Sequence, residues 1–327
     1  MAVKSILDAV HDTLWAAMEL DNRVVILGED VGAKGGVFRA TAGFLDKFGE
    51  ERVIDTPLAE LGIVGVAIGM ALNGLLPIAE IQFADFIHPA FDQIVNEAAK
   101  IRYRSNGAWE VPMVIRTPYG GGIHGGLYHS QSVEAFFAHV PGLKVVAPST
   151  PADTAGLLWS SIFDPDPVLF LEHKRTYRLV KGEVPDRPEA VPIGKAKVVR
   201  EGRDLTVVAY GMMLHYVLEA ASRLEAEDIS VEVVDPRTLL PLDKETILES
   251  VKKTSKVLIV HEDNRFMGYG AEIAATVADE AFMWLDAPVK RLAAPDVPAM
   301  PYNSPQEDWF LPNTEKIAAA IRDLAEF

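Results

Sequence analysis

The sequence predicts an α/β protein built from two open, mainly parallel sheets flanked by helices. Short β-branched runs at 24–27, 53–54, 76–81, 113–116, 144–147 and 168–171 alternate with longer helical patterns. That alternation is the pattern of a parallel sheet covered on both faces. It stops between residues 177 and 204, where Glu183-Val184-Pro185-Asp186-Arg187-Pro188 is polar and proline-spotted, and restarts with runs at 205–210, 231–234, 256–260 and 289–292. The expected organisation is therefore an α/β domain over 1–180, a linker over 181–203 and a smaller α/β domain over 204–327.

The elements follow in order. Ile6, Leu7, Val10, Leu14, Ala17 and Met18 share one helical face, with Ser5 placed to cap it. The run at 24–27 opens into Gly28-Glu29-Asp30-Val31-Gly32. Parallel strands carry their chemistry just past their carboxyl ends, which marks Glu29 and Asp30. Glu60 then heads 19 residues without a charge, 61–79. That length approaches the roughly 20 residues of a membrane span. Four glycines, Asn73 and Pro77 divide it instead into a helix over 61–75 and a buried strand over 76–81. Gly62, Gly65 and Gly69 recur at helical spacing and give a flat face for close packing. By position alone Glu60 is a carboxylate at the positive end of a helix. A long helix is expected from Phe86 to about Arg104, a loop over 117–132 and a helix over 151–161.

Composition narrows the function. The chain has 327 residues, 49% apolar and 24% charged, the balance of a globular protein with a large core. A net charge of −16 disfavours nucleic acid and anionic membranes as partners. With no cysteine there is no disulfide, thiolate metal site or cysteine nucleophile. Asp8, His11, Asp12 and Glu19 interrupt any signal-like apolar core, so a cytoplasmic protein is expected.

The second unusual stretch is the loop Gly120-Gly121-Gly122-Ile123-His124-Gly125-Gly126-Leu127-Tyr128-His129-Ser130-Gln131. Five of its first seven residues are glycine, which lets a ligand approach the main chain. His124 and His129 are residues suited to proton transfer. Zinc spacing, a dinucleotide Gly-x-Gly-x-x-Gly turn, a Walker loop and a Gly-x-Ser-x-Gly elbow are all missing. The second domain shows no convergent acid–base cluster in sequence. Local rules stop at a two-domain α/β protein with an acidic loop and a histidine-bearing one.

Resemblance goes further. The segments Gly28-Glu29-Asp30-Val31-Gly32, Asp55-Thr56-Pro57-Leu58-Ala59-Glu60, Glu80-Ile81-Gln82-Phe83-Ala84-Asp85-Phe86 and Tyr128-His129-Ser130-Gln131-Ser132 resemble the beta subunit of thiamine-diphosphate-dependent 2-oxoacid dehydrogenases. So do Pro141-Gly142-Leu143-Lys144-Val145-Val146 and Asp235-Pro236-Arg237-Thr238-Leu239-Leu240-Pro241, and the likeness spans nearly the whole chain. Ala84-Asp85-Phe86, Asn96-Glu97-Ala98-Ala99-Lys100 and Glu134-Ala135-Phe136-Phe137-Ala138-His139 look most like the branched-chain type; pyruvate and acetoin types share the same frame.

The resemblance implies a transketolase-like pyrimidine-binding domain followed by a transketolase C-terminal-like domain. It implies that Glu60 hydrogen-bonds a ring nitrogen of the cofactor's aminopyrimidine, favouring the imino form that deprotonates the thiazolium carbon. Desolvation keeps the proton on such a glutamate, so burial is expected there. Leu58, Gln82 and Phe86 match residues around the pyrimidine. Glu29 matches an acid that links two cofactors, a connection whose further acid in some relatives falls at Pro89 here. His129 matches the substrate-side histidine that serves acyl transfer to a lipoyl group. Asp164 and Asp166, with Val111, Val114 and Ser161, match a loop that holds potassium through oxygen. The family's Gly-Asp-Gly motif for magnesium and the diphosphate is missing. The implied partners are an alpha subunit that supplies that motif within an α2β2 heterotetramer and a lipoyl-bearing dihydrolipoyl transacylase, docked on the second domain. Two other classes stand beside this reading: a nicotinamide-dependent dehydrogenase, favoured by the α/β alternation alone, and a non-catalytic assembly subunit.

Overall fold

The computed structural model describes residues 1–327 as two compact units. The first comprises Met1–Tyr119 and Phe136–Ile193, the second Gly120–Ala135 and Gly194–Phe327. The histidine-bearing loop thus groups with the second unit, although the strand that leads into it belongs to the first. A boundary read along the sequence at 180 misses this, because the polar groups of the loop find their partners far along the chain.

The first unit runs β1 (Ala2–Ser5), α1 (Ile6–Leu20), β2 (Val24–Gly28), α2 (Phe44–Phe48), β3 (Val53–Asp55), α3 (Glu60–Leu72), β4 (Leu76–Glu80), α4 (Ile101–Arg104) and β5 (Val114–Tyr119). The chain re-enters this unit at Phe136, within α5 (Glu134–Ala138), and then come β6 (Lys144–Val146), α6 (Pro151–Ile162), β7 (Val168–His173), α7 (Thr176–Leu179) and β8 (Lys181–Val184). Its main strands lie in the order β6-β7-β5-β4-β2-β3 and all pair in parallel. β1 and β8 form a separate antiparallel pair. Ser5 caps α1 as expected, accepting from Asp8 N at 3.1 Å while the Asp8 carboxylate takes Ser5 N at 3.0 Å. Leu14, Ile26, Ile78 and Phe170 lie in the core.

The second unit holds β9 (Lys197–Arg200), β10 (Leu205–Ala209), α8 (Met212–Leu224), β11 (Val231–Asp235), β12 (Thr238–Leu240), α9 (Lys244–Thr254), β13 (Val257–Asn264), α10 (Gly270–Glu280), β14 (Lys290–Ala294), α11 (Ser304–Phe310) and α12 (Thr314–Ala325). The order β14-β13-β10-β11-β9 is parallel except for β9. Leu205, Val207, Val217, Leu258 and Ile321 fill its core. No helix in the chain is long and apolar enough to cross a membrane.

Two expectations change. The helix expected from Phe86 to Arg104 is broken into 3-10 turns at Ala84–Phe86 and His88–Ala90, a π-helical turn at Gln93–Ala98 and then α4. Pro89 accounts for the interruption around His88, since it lacks an N–H and disfavours helix in the residue before it. The stretch 181–203 expected as a linker carries β8 and β9 at its ends. It is also pinned to α6 by Val191 N to Gly156 O (3.1 Å) and Ser160 Oγ to Val191 O (2.7 Å).

Three central strands are tied through one buried cation. Arg116 on β5, 1% exposed, donates from Nε and Nη2 to the Glu172 carboxylate of β7 at 2.8 and 2.7 Å, and from Nη1 to Glu80 of β4. The Tyr177 hydroxyl donates to Glu172 as well. Burial works against the guanidinium charge, and the two carboxylates outweigh it, so Arg116 stays charged. Burial pushes Glu80 above the ordinary carboxylate range, with Arg116 opposing. Removing one partner of a buried ion pair costs about 3–5 kcal/mol because the other charge is stranded, whereas neutralising the whole set costs far less. Arg116→Met is therefore expected to lose about that much in urea unfolding, and Glu80→Gln/Arg116→Met/Glu172→Gln to recover most of it. A single variant as stable as the parent contradicts this.

Candidate functional site

In the first unit the carboxyl edge of the parallel sheet gathers the acidic and aromatic residues. β2 ends at Gly28, whose carbonyl accepts from Thr56 N at 3.0 Å, so the Glu29 loop and the Thr56–Glu60 turn lie side by side. Glu60 is the first residue of α3, whose cap, Ala59, offers no side-chain acceptor. Glu29 is half-buried and titrates above the usual carboxylate range, through desolvation first and then the charges of Asp30 and Glu60. Glu29 and Glu60 thus sense one another, as acids sharing one edge do.

Asp30 is held low by its 2.8 Å ion pair with Lys34. Gln82 Nε2 donates at 3.3 Å to the Glu29 carbonyl and to Asp30 Oδ2, fixing the loop from the segment just past β4. Phe86 is half-buried and meets Phe83 edge-on at 5.7 Å between centroids, and Phe83 in turn meets Phe38 at 5.5 Å. Leu58 stands 71% exposed two residues before Glu60. Thr56 Oγ1 is buried and has no hydrogen-bond partner. An unanswered hydroxyl, an acid, an amide and apolar side chains suit one face and edge of a flat heteroaromatic ring.

Glu60 is half-buried rather than deeply buried as expected. The first residue of a helix at a sheet rim keeps one side open within its own chain. The Gly69 side of α3 is open too: a Cβ on Gly69 would meet nothing within 4 Å, and Leu61, Val66 and Leu72 are exposed along the helix.

The loop expected to hold potassium has its side chains engaged. Lys144 Nζ lies 2.6 and 2.7 Å from the two oxygens of Asp164, and Arg102 pairs with Asp166. Asp164 Oδ1 also accepts from Asp166 N at 2.9 Å. The carboxylate charge assigned to the ion from sequence is thus matched within the protein.

In the second unit the histidine loop is gripped by carboxylates. Gly121 N donates to Glu262, and Gly122 N and His124 N donate to Glu307 Oε1 at 3.0 and 3.2 Å. His124 Nδ1 is 2.6 Å from Glu307 Oε2. A Cβ on Gly121 would lie 2.0 Å from Met300 Sδ, so only glycine permits this approach. His129 is half-buried near the end of this loop. Behind it Glu134 is buried and accepts from the Tyr210 hydroxyl at 2.8 Å, while its second oxygen has no partner. Burial, reinforced by Asp263, pushes Glu134 up to about 8, and burial pushes Asp263 up to about 6. His261 is buried with neither ring nitrogen bonded, and desolvation pulls it down to about 4.

The second unit brings acids of the 204–327 span together electrostatically with Glu134, which precedes that span in sequence. Glu134, Glu262, Asp263 and Glu307 come from three distant segments, and no local pattern joins them. The one sequence signal was acidic residues amid otherwise apolar stretches, as at Glu134 before Ala135-Phe136-Phe137.

The raised carboxylates set a pH dependence. Folded Glu134 and Asp263 hold protons that the unfolded chain has released above about pH 4.5. Their contribution to stability is full below that pH and is lost as pH rises through about 6 and 8. Glu134→Gln, which keeps an acceptor for Tyr210, should flatten the fall in melting temperature between pH 5 and 8. A slope equal to the parent's would remove Glu134 from that linkage.

Residues 3–180 match the transketolase pyrimidine-binding domain and residues 194–317 the transketolase C-terminal domain. The chain is 59% identical over 327 residues to the 2-oxoisovalerate dehydrogenase subunit beta of Bacillus subtilis, covering 100% of both. It is 51% identical over 326 residues to a pyruvate dehydrogenase E1 component subunit beta of Acholeplasma laidlawii, covering 100% of this chain and 99% of that one. A solved split-gene transketolase, described as an inactive beta4 tetramer, superposes with TM-score 0.80 at 26% identity, covering 98% of each chain.

Proposed function

The chain belongs to the beta subunits of thiamine-diphosphate-dependent 2-oxoacid dehydrogenases, and from that premise we propose that it supplies the pyrimidine side of a branched-chain 2-oxoacid decarboxylating site, with Glu60 as its acid. The observation that carries the reading is Glu60 at the head of α3, electrostatically joined to Glu29, in a unit that matches a pyrimidine-binding domain. The 59% identity to a 2-oxoisovalerate dehydrogenase subunit, against 51% for a pyruvate-type relative, supports the branched-chain substrate.

Thiamine diphosphate, when bound, supplies the nucleophilic carbon and the electron sink for loss of carbon dioxide. The residues of this chain do the rest of the work on its pyrimidine side. Glu60 holds a proton at a ring nitrogen. Leu58 and Phe86 provide the apolar surface, and Gln82 orders the loop of Glu29. His129 acts on the substrate side in acyl transfer. An alpha subunit completes the site by holding magnesium and the diphosphate, in an α2β2 heterotetramer that passes the acyl group to a lipoyl-bearing transacylase. The open Gly69 side of α3, with Leu61, Val66 and Leu72, supports burial against another subunit. Potassium would rest on neutral main-chain oxygens, in keeping with the paired state of Asp164 and Asp166. The acidic second unit is the docking platform in this reading, and the cysteine-free chain is in keeping with a cytoplasmic complex.

An amide at position 60 fits the same space and cannot exchange the proton. Glu60→Gln, assembled with the alpha subunit, should bind cofactor and lose about 10²- to 10⁴-fold in decarboxylation, measured with an artificial electron acceptor. Near-normal turnover with cofactor bound would take Glu60 out of the mechanism.

A further inference from the structure

We propose that Glu307 is a positioning residue for His129, clasping the loop that carries it in the geometry required for acyl transfer. The inference rests on the reading of His129 as the substrate-side histidine.

Glu307 is 1% exposed and spends both oxygens on the loop. Oε1 accepts from Gly122 N at 3.0 Å and His124 N at 3.2 Å. Oε2 stands 2.6 Å from His124 Nδ1, a spacing that places the hydrogen on that nitrogen. The far ring nitrogen of His124 reaches Ser304 Oγ at 3.4 Å, so two residues of one helix hold one imidazole. His124 sits at φ +57°, a backbone region that side-chain-bearing residues adopt only when surrounding contacts enforce it. The clasp enforces it here.

The clasp lies next in sequence to the close approach that seats His129. Gly125 follows His124, and a Cβ there would lie 2.7 Å from the His129 carbonyl oxygen and 2.8 Å from its Cβ. Gly120 N donates to Gln131 O at 3.0 Å and closes the loop around this contact, so a shift at His124 moves His129. The anchor itself is firm. Asn303 caps α11 by accepting from Gln306 N at 3.1 Å, and Phe310 packs with Met300 and Ala294. Glu307 is 178 residues beyond His129 in sequence (307 − 129), so no spacing along the chain announces the link.

A misplacement of about 1 Å at a reacting group costs on the order of 10²-fold in rate. The test uses the protein assembled with its alpha subunit and compares Glu307→Ala, Glu307→Gln, His129→Ala and His129→Ala/Glu307→Ala. Cofactor affinity, decarboxylation with an artificial acceptor and acylation of a lipoyl domain are measured for each. Glu307→Ala is expected to lower the kcat of lipoyl acylation by about 10- to 100-fold with cofactor affinity unchanged. Glu307→Gln, which keeps an acceptor for the two main-chain N–H groups, should restore most of it. In the His129→Ala background, Glu307→Ala should cost nothing further. Additive losses, or an equal fall in cofactor affinity, would overturn the proposal and leave Glu307 a residue of general stability. A His129→Ala protein that acylates normally would remove His129 from the function itself, and the proposal with it. Should Glu307→Ala fail to fold, His124→Ala opens the exposed end of the same clasp and is read in its place.

Discussion

The buried guanidinium of Arg116 is the constraint on which the first unit depends. It joins Glu80 and Glu172 across the carboxyl ends of β4, β5 and β7, the edge at which a parallel sheet presents its chemistry. A fully desolvated charge set of this kind adds little net stability over an apolar replacement, but it tolerates only one register. Glu80 also fixes what lies above it. Its carbonyl oxygen and Cβ crowd Gly28, leaving 2.7 and 3.0 Å to the position of a Cβ, and its carboxylate comes within 3.2 Å of the same position on Gly36. The loop that carries Glu29 is thereby seated on the ion-paired edge, within electrostatic reach of Glu60.

The second unit solves a different problem with the same chemistry. A loop rich in glycine exposes main-chain N–H groups and has little side-chain packing to order it. Carboxylates answer those donors in sequence, Glu262 at Gly121 and Glu307 at Gly122 and His124. Behind them Glu134, raised to about 8, is a buried acid that keeps its proton near neutrality and so adds no further negative charge to the cluster. This division of labour is physical. Glu262 and Glu307 hold the loop through its main-chain N–H groups, and a protonated Glu134 fills the core.

Much of this was legible in the sequence where the signal is local. The Ser5 cap, the α/β alternation, the loop after β2 and the placement of Glu60 at a helix start all follow from periodicity and turn chemistry over a few residues. The family motifs added roles to Glu60 and His129 that spacing alone did not carry. What stayed hidden was set by distance along the chain. The Arg116 set draws on positions 80, 116, 172 and 177, and the loop clasp on 121–124, 262 and 307. Charged residues inside apolar strands, as in Ile78-Ala79-Glu80-Ile81 and Val114-Ile115-Arg116, were the available hint, since such charges are buried only when paired. The break of the 86–104 helix was also readable at Pro89, where the apolar pattern outweighed the proline.

The central claim is that this chain holds one half of a cofactor site, with the acid on the pyrimidine side and no group for the diphosphate. Calorimetric titration of thiamine diphosphate with magnesium, into the chain alone and into the chain co-expressed with its alpha subunit, tests it most directly. The account predicts no tight binding and no 2-oxoacid turnover for the lone chain, with both appearing in the complex. Tight magnesium-dependent binding accompanied by decarboxylation in the lone chain would contradict it.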